Sequence, residues 1–419
     1  MGIARARITS RSIFAAAIVA GTIFIVPSLA SANVITDWDE TATAIVAPMP
    51  PYSAQRLMAI VDVAMFDAVN SIERRYQPYL AQLAADPTTS KEAAAAAAAA
   101  TVLASIDPKT AEDMKAALAR YLAAIPDGQT KSDGVKLGEA VAIKVMEARA
   151  NDGADAPDDY RPRTAAGVYV PTPLTAASMW PRMKPWAMTS ASQFRPDPPI
   201  SLKSEEWAAD FNELKDYGGK ASAKRSEPET ETARFWLMVG PRAYHPFVRQ
   251  LVIAKQMSVS ESARFMALVA VGLNDALIAV FDAKYHYNFW RPITAIRNGD
   301  IDGNPATNRD ATWQPIDNTP PHPEYPCAHC ILSGCVAGVV STTLGSGEIP
   351  EVAMTSPMAP GITHRWTNMH NFTEEVANAR IWAGFHYRFS TRVGTGMGIR
   401  IGKYTVESIM QPAIETGSR

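Results

Sequence analysis

Apolar residues three and four apart dominate this chain, and the spacing predicts helices almost throughout. The stretch YSAQRLMAIVDVAMFDAVNSIERRY (52–76) sets Leu57, Ile60, Val61, Ala64 and Val69 on one stripe. KEAAAAAAAATVLASI (91–106) is rich in the strongest helix former, and Val102, Leu103 and Ile106 continue an apolar face, which argues against a low-complexity linker. PKTAEDMKAALARYLAAI (108–125) opens with proline in a first-turn position and carries acids early and bases late. A fourth helix is expected over 131–150. After 201 the pattern predicts helices at 202–216, 228–240, 244–256, 259–291 and 328–345, then one from 371 to about 412 with a break allowed for. Strand signals are scarce, the best being GVYVP (167–171). The fold class is therefore all-α, built as bundle-like helical layers.

Two segments depart from this pattern. Residues 151–200 hold many prolines and few periodic apolar positions; Trp180, Trp186 and Phe194 make this a long ordered excursion packed on the surface. Residues 1–32 combine Arg5, Arg7 and Arg11 with the short apolar run IFAAAIVAGTIFIV and an Ala-Ser-Ala cleavage site, the layout of a Sec-type signal peptide. The expected organisation is a signal peptide (1–32), an N-terminal helical region (33–150), the proline-rich excursion (151–200) and a catalytic helical region (201–419). The mature chain is expected to be periplasmic or secreted. No other stretch reaches membrane length on this reading, so no stable membrane insertion is expected after cleavage.

Composition adds little: 47% hydrophobic, 20% charged and a formal net charge of −2 describe an ordinary globular chain with no bias towards nucleic acid. Oligomerisation is compatible with it. Three cysteines, Cys327, Cys330 and Cys335, are too few for a disulfide framework and too close together to be unrelated.

The candidate chemistry lies in three places. In KYHYNFWRP (284–292) the cations Lys284 and Arg291 are seven residues apart, almost two helical turns, and embedded in aromatics; with a helix ending at Pro292 they would stand side by side and need an anion. In PPHPEYPCAHCILSGCVAGVV (320–340) a polar, proline-rich lead enters an apolar helix. Its first N–H groups favour an anion, and His329 in the first turn is placed to exchange a proton. In ARIWAGFHYRFS (379–390), Arg380 and His386 are six residues apart, which brings them to one ligand only if Gly384 breaks the helix or the arginine reaches round.

Taken in order, Lys-x6-Arg-Pro, Pro-x-x-His at a helix start and Arg-x5-His resemble the signature of the vanadium-dependent haloperoxidase and type-2 phosphatidic acid phosphatase (PAP2) superfamily. The flanks DAKYHYNFWRPITAIR, GDIDGNP, TPPHPEYP and RIWAGFHYRF resemble its bacterial haloperoxidase-like branch, and the likeness runs over roughly 160–410. The resemblance implies a helical bundle of that type and an oxyanion site for vanadate, or for phosphate with no cofactor in a phosphatase. It further implies that Lys284, Arg291 and Arg380 neutralise the anion's oxygens, that Ala328 offers a backbone N–H, and that Cys327 stands where the family has serine. His386 would bind vanadium axially or attack phosphorus, and His329 would act as acid and base. His322, five residues before Cys327, marks bromide or iodide rather than chloride as the halide oxidised with hydrogen peroxide.

Three departures qualify that likeness. Ala328 replaces a glycine but keeps its N–H. Cys327 replaces a hydroxyl with a poorer donor whose thiolate would repel a bound oxyanion, and it invites oxidation or a disulfide with Cys330. Ser390 stands where the phosphatases carry an acid, so the carboxylate that would orient His386 is expected to be missing, which favours peroxidase over phosphatase. The competing readings are a phosphomonoesterase with His386 as nucleophile, a degenerate oxyanion binder, and a thiol-disulfide protein using Cys327 and Cys330, which lacks the expected βαβ pattern. A zinc site at Cys327, His329 and Cys330 lacks a second ligand cluster.

Overall fold

The computed structural model describes residues 33–171 and 173–413; the expected signal peptide lies outside them. The described residues open on a helix that periodicity did not predict, α1 (Val34–Val46), capped by the Asn33 side chain and its reciprocal bond with Thr36. Next come α2 (Pro51–Glu73), α3 (Lys91–Ala104), α4 (Pro108–Leu122) and α5 (Gln129–Arg149), all close to expectation. The alanine run of α3 reflects packing as much as propensity. Ala93 to Ala100 are all buried, and helices approach α3 so closely that a Cβ on Gly138 of α5 would sit 2.2 Å from the Ala94 carbonyl oxygen.

The proline-rich segment carries one short 3-10 turn at Trp180–Arg182. Trp180 and Trp186 are buried. It is tied down by Asp275, whose carboxylate accepts the backbone N–H groups of Trp186, Ala187 and Met188 at 2.7, 2.8 and 2.9 Å. The GVYVP segment makes no strand; only Val168 bridges to Phe289.

Beyond it run α6 (Glu205–Tyr217), α7 (Glu227–Phe235), α8 (His245–Ala254), α9 (Val259–Tyr287), α10 (Pro292–Arg297) and α11 (Ala328–Leu344). An antiparallel hairpin follows, β1 (Glu348–Ser356) and β2 (Ala359–Asn368), and then α12 (Met369–Trp382) and α13 (Arg388–Ser408). The hairpin was not expected, because Ile349, Val352 and Met354 show no regular alternation and Pro350, Pro357 and Pro360 fall within the same stretch. Contrary to the sequence reading, α9 is by length and composition long and apolar enough to cross a membrane. Its apolar window is 94% buried within the protein, so it serves as the central core helix.

Candidate active site

Three breaks in the helices build the site. The first corrects the sequence reading: α9 stops at Tyr287, with Asn288 in the left-handed conformation (φ 50°), instead of running to Arg291. Residues 289–291 are then held extended, Trp290 N–H donating to the Gly167 carbonyl and Phe289 O accepting from Glu324 N–H. Arg291 caps α10. Lys284 and Arg291 therefore reach the site from two elements and not from one helical face.

The second break is the start of α11. Cys327 is its N-cap, and its sulfur accepts the Cys330 N–H at 3.3 Å. The third lies between α12 and α13. Gly384 (φ 79°) sits so close to Gly218 that a Cβ would meet its carbonyl oxygen at 2.4 Å. The chain turns there and presents His386 beside Arg380, as the shared site requires.

The buried Lys284 ammonium donates to the carbonyls of Pro323 (3.0 Å) and Glu324 (2.6 Å). Arg291 is equally buried; its Nε donates to His322 O at 2.8 Å, Nη1 to Phe385 O at 3.1 Å and Nη2 to His322 Nδ1 at 2.9 Å. Arg291 Nη1 also lies 3.3 Å from His386 Nε2. Arg380 donates from Nη1 to the Trp236 carbonyl at 2.6 Å, while its buried Nε has no partner among the described residues.

Sequence reasoning missed Glu324. Its carboxylate takes His386 Nδ1 at 2.7 Å and the Tyr387 N–H at 3.3 Å. The expectation that the orienting carboxylate is missing is therefore wrong: it comes from the segment before α11 and not from position 390. The available signal was an acid inside the run PPHPEYP, just ahead of an apolar helix. Burial pushes Glu324 up to about 8, against the opposing pull of Lys284 and Arg291.

An arginine only donates, so the proximity of Arg291 assigns the lone pairs. His386 Nε2 is the unprotonated nitrogen that accepts from Arg291, and Nδ1–H points at Glu324. His322 Nδ1 accepts from Arg291, and the Pro323 carbonyl 3.1 Å from that nitrogen is then only a neighbour. Burial first, and then the surrounding cations, hold His386 and His322 well below the ordinary histidine value. His329 is held down by burial and Arg380. Its Nε2–H donates to the Met238 carbonyl at 3.0 Å, which leaves Nδ1 as a proton acceptor. The resting His329 is thus poised as a base.

His322, Ala328, His329, Arg380 and His386 all line one cavity of about 440 Å³, whose other walls are mainly apolar, among them Tyr52, Phe281 and Leu332. Arg291 borders a second cavity of about 1040 Å³ with Lys220 and Arg297. Lys284 and Cys327 line neither cavity and are fully buried. The eight residues singled out in the sequence thus surround one centre from three chain segments. Three buried cations, one unpartnered guanidinium N–H and an imidazole lone pair fit a tetrahedral oxyanion such as vanadate or phosphate. A separate buried group, Asp39 of α1, Asp62 of α2 and His245 of α8, offers ligand atoms within 4.8 Å of one another. There Asp39 already pairs with His245 and Arg249, both at 2.6 Å.

Residues 264–414 match the family description "VCPO second helical-bundle domain". The vanadium chloroperoxidase of Curvularia inaequalis is 28% identical over 185 residues, covering 36% of this chain and 30% of that protein. The chain thus spans less than a third of the length of the curated relative it matches. A bacterial vanadium-dependent iodoperoxidase shares the fold with a TM-score of 0.78 and 22% identity, over 91% of this chain and 98% of that one. A bacterial vanadium-dependent chloroperoxidase does so at 0.68 and 18%, over 86% and 92%. The fold is the helical haloperoxidase fold of these structures, and residues 264–414 are similar to the second helical-bundle domain of the vanadium chloroperoxidase family.

Proposed function

We propose that the protein is an exported, vanadate-dependent haloperoxidase that oxidises bromide or iodide with hydrogen peroxide. The observation that carries this reading is the Glu324–His386–Arg291 arrangement, which aims an imidazole lone pair into a cage of buried cations. Lys284, Arg291, Arg380 and the start of α11 at Ala328 would hold vanadate, with His386 Nε2 as its protein ligand. When bound, vanadate supplies a Lewis acid that changes no oxidation state. The chain's own residues fix and tune that site. Glu324 keeps the proton on His386 Nδ1, Arg291 orients the ring, and His329 Nδ1 accepts a proton from an entering peroxide. His322 on the cavity wall supports bromide or iodide as the halide.

Halide oxidation is measured on phosphate-free mature protein with peroxide and iodide or bromide, with and without orthovanadate. Activity is expected only with orthovanadate and is expected to vanish in His386→Ala. Silence at every orthovanadate concentration would sink the reading.

One observation favours a second reading. Glu324 gives His386 the carboxylate partner that a histidine nucleophile needs, so the argument against a phosphomonoesterase from Ser390 falls away. Hydrolysis of a simple phosphate ester without vanadium, inhibited by orthovanadate, would establish it.

A further inference from the structure

Neither reading uses the two thiols at the start of α11. Cys327 holds the N-cap position and Cys330 follows one turn later; both are buried, and both are free thiols. The Cys330 thiol donates to the Cys327 sulfur at 2.6 Å, and the Cys330 backbone N–H donates to that same sulfur. Two donors, a helix N-terminus and the charges of Arg380 and Lys284 thus converge on one sulfur. The residues between the cysteines, Ala328 and His329, line the 440 Å³ cavity, so a small oxidant entering it is one residue away from the buried Cys327. Cys335 provides an internal control: it faces the core, where a Cβ on Gly272 of α9 would lie 2.9 Å from its sulfur. The balance of charges agrees with the geometry. Burial opposes ionisation of Cys327, but the Cys330 donor and Arg380 outweigh it, whereas burial and the neighbouring Cys327 hold the Cys330 thiol up.

We propose that Cys327 and Cys330 form an oxidisable dithiol that hydrogen peroxide converts to a disulfide in the wall of the oxyanion site. The Cys327 thiolate attacks one peroxide oxygen; the S–O bond forms, the O–O bond breaks, and the departing hydroxide takes a proton to become water. The Cys330 sulfur, giving up its proton, then attacks the Cys327 sulfenic sulfur; the S–S bond forms, the S–O bond breaks and a second water leaves. Two thiols are oxidised and one peroxide is reduced to two waters, and an external dithiol or small thiol reverses the step. Cys327 is the attacking sulfur because it carries the converging donors, and Cys330 resolves because it lies in contact. The step requires no vanadate and so stands independently of the haloperoxidase reading.

The test is to reduce the mature protein, remove the reductant, titrate it with hydrogen peroxide in the absence of vanadium, quench in acid, alkylate under denaturing conditions and map the peptide holding all three cysteines by mass spectrometry. The expected product has Cys335 alkylated and a Cys327–Cys330 bond that dithiothreitol opens. In Cys330→Ser the reaction is expected to stop at a Cys327 sulfenic acid that dimedone traps. Three alkylated cysteines after excess peroxide would overturn the proposal, and so would oxidation that involves Cys335 as readily as the pair. Since the wild-type protein carries the first measurement, misfolding of the variant cannot hide a negative result.

Discussion

At the scale of single residues, the proton on His386 decides what the site can do. Glu324 and Arg291 face opposite nitrogens of that ring, one accepting and one donating, so together they select the tautomer with an unprotonated Nε2. Glu324→Gln keeps the shape but offers an amide that can present either its oxygen or its NH₂. Turnover in the halide or phosphate-ester assay is expected to fall by about ten- to a hundredfold, the usual effect of losing the partner behind a ligating histidine. Unchanged turnover would mean that Glu324 does not orient the ring. Cys327→Ser argues in the other direction. It restores a hydroxyl donor towards the anion and removes an ionisable sulfur, and orthovanadate binding measured by calorimetry is expected to tighten by about an order of magnitude. Most of these residues were legible from type and order alone: paired cations among aromatics, a histidine at a helix start and an arginine before a histidine. Glu324 was not, because its partnership joins residues 62 positions apart through a break between α12 and α13, and no local spacing encodes that.

At the scale of elements, the site depends on how closely α11 and α13 approach, since one carries Cys327 and His329 and the other follows directly on His386. Their contact is backbone against backbone. A Cβ on Gly398 would lie 2.0 Å from the Ile331 carbonyl oxygen, one on Gly402 2.2 Å from Cys335 O, and one on Gly334 2.3 Å from Thr395 O. No rotamer relieves such a clash, so the helices must separate. Gly398→Ala is expected to cost about 3 kcal/mol of unfolding free energy by denaturant titration, and to lower turnover because it shifts His329 relative to His386. A fully stable variant would show that the interface yields more easily than its geometry implies. Here the sequence was readable in part. Periodicity placed both helices, but its emphasis on large apolar residues passes over an interface made of glycines. It also carried α9 four residues too far, because Tyr287, Phe289 and Trp290 look like more helix until the excursion pairs with them. The hairpin of β1 and β2 was hidden by its prolines for a related reason: local rules report local preference, and pairing is non-local.

At the scale of the whole molecule, buried carboxylates do the joining that a helical fold would otherwise leave to loops. Asp67 of α2 accepts the N–H groups of Tyr79, Leu80 and Ala81, all at 2.9 Å, and so anchors the chain between α2 and α3. Asp275 does the same for the excursion, and through it for the wall behind the site. In both, burial outweighs the three N–H donors and raises the carboxyl from 3.8 to about 6. The sign of the pH effect follows. A carboxyl raised in the folded state binds protons more tightly there than in the unfolded chain, so its contribution is fully present below the ordinary aspartate value and is lost as the pH rises through about 6. For the fully buried Asp275 the change amounts to about 3 kcal/mol. Asp275→Asn removes the titration and sets an amide NH₂ against backbone donors, costing about 2 kcal/mol at neutral pH. Unfolding free energies of both proteins, measured from about pH 7 down to about pH 4, are therefore expected to diverge, with the advantage of the wild type growing as acid is added. Were the three N–H bonds to dominate over burial, the carboxyl would lie below its ordinary value and the gap would narrow instead, so the direction of that one trend decides which force holds the excursion to the core.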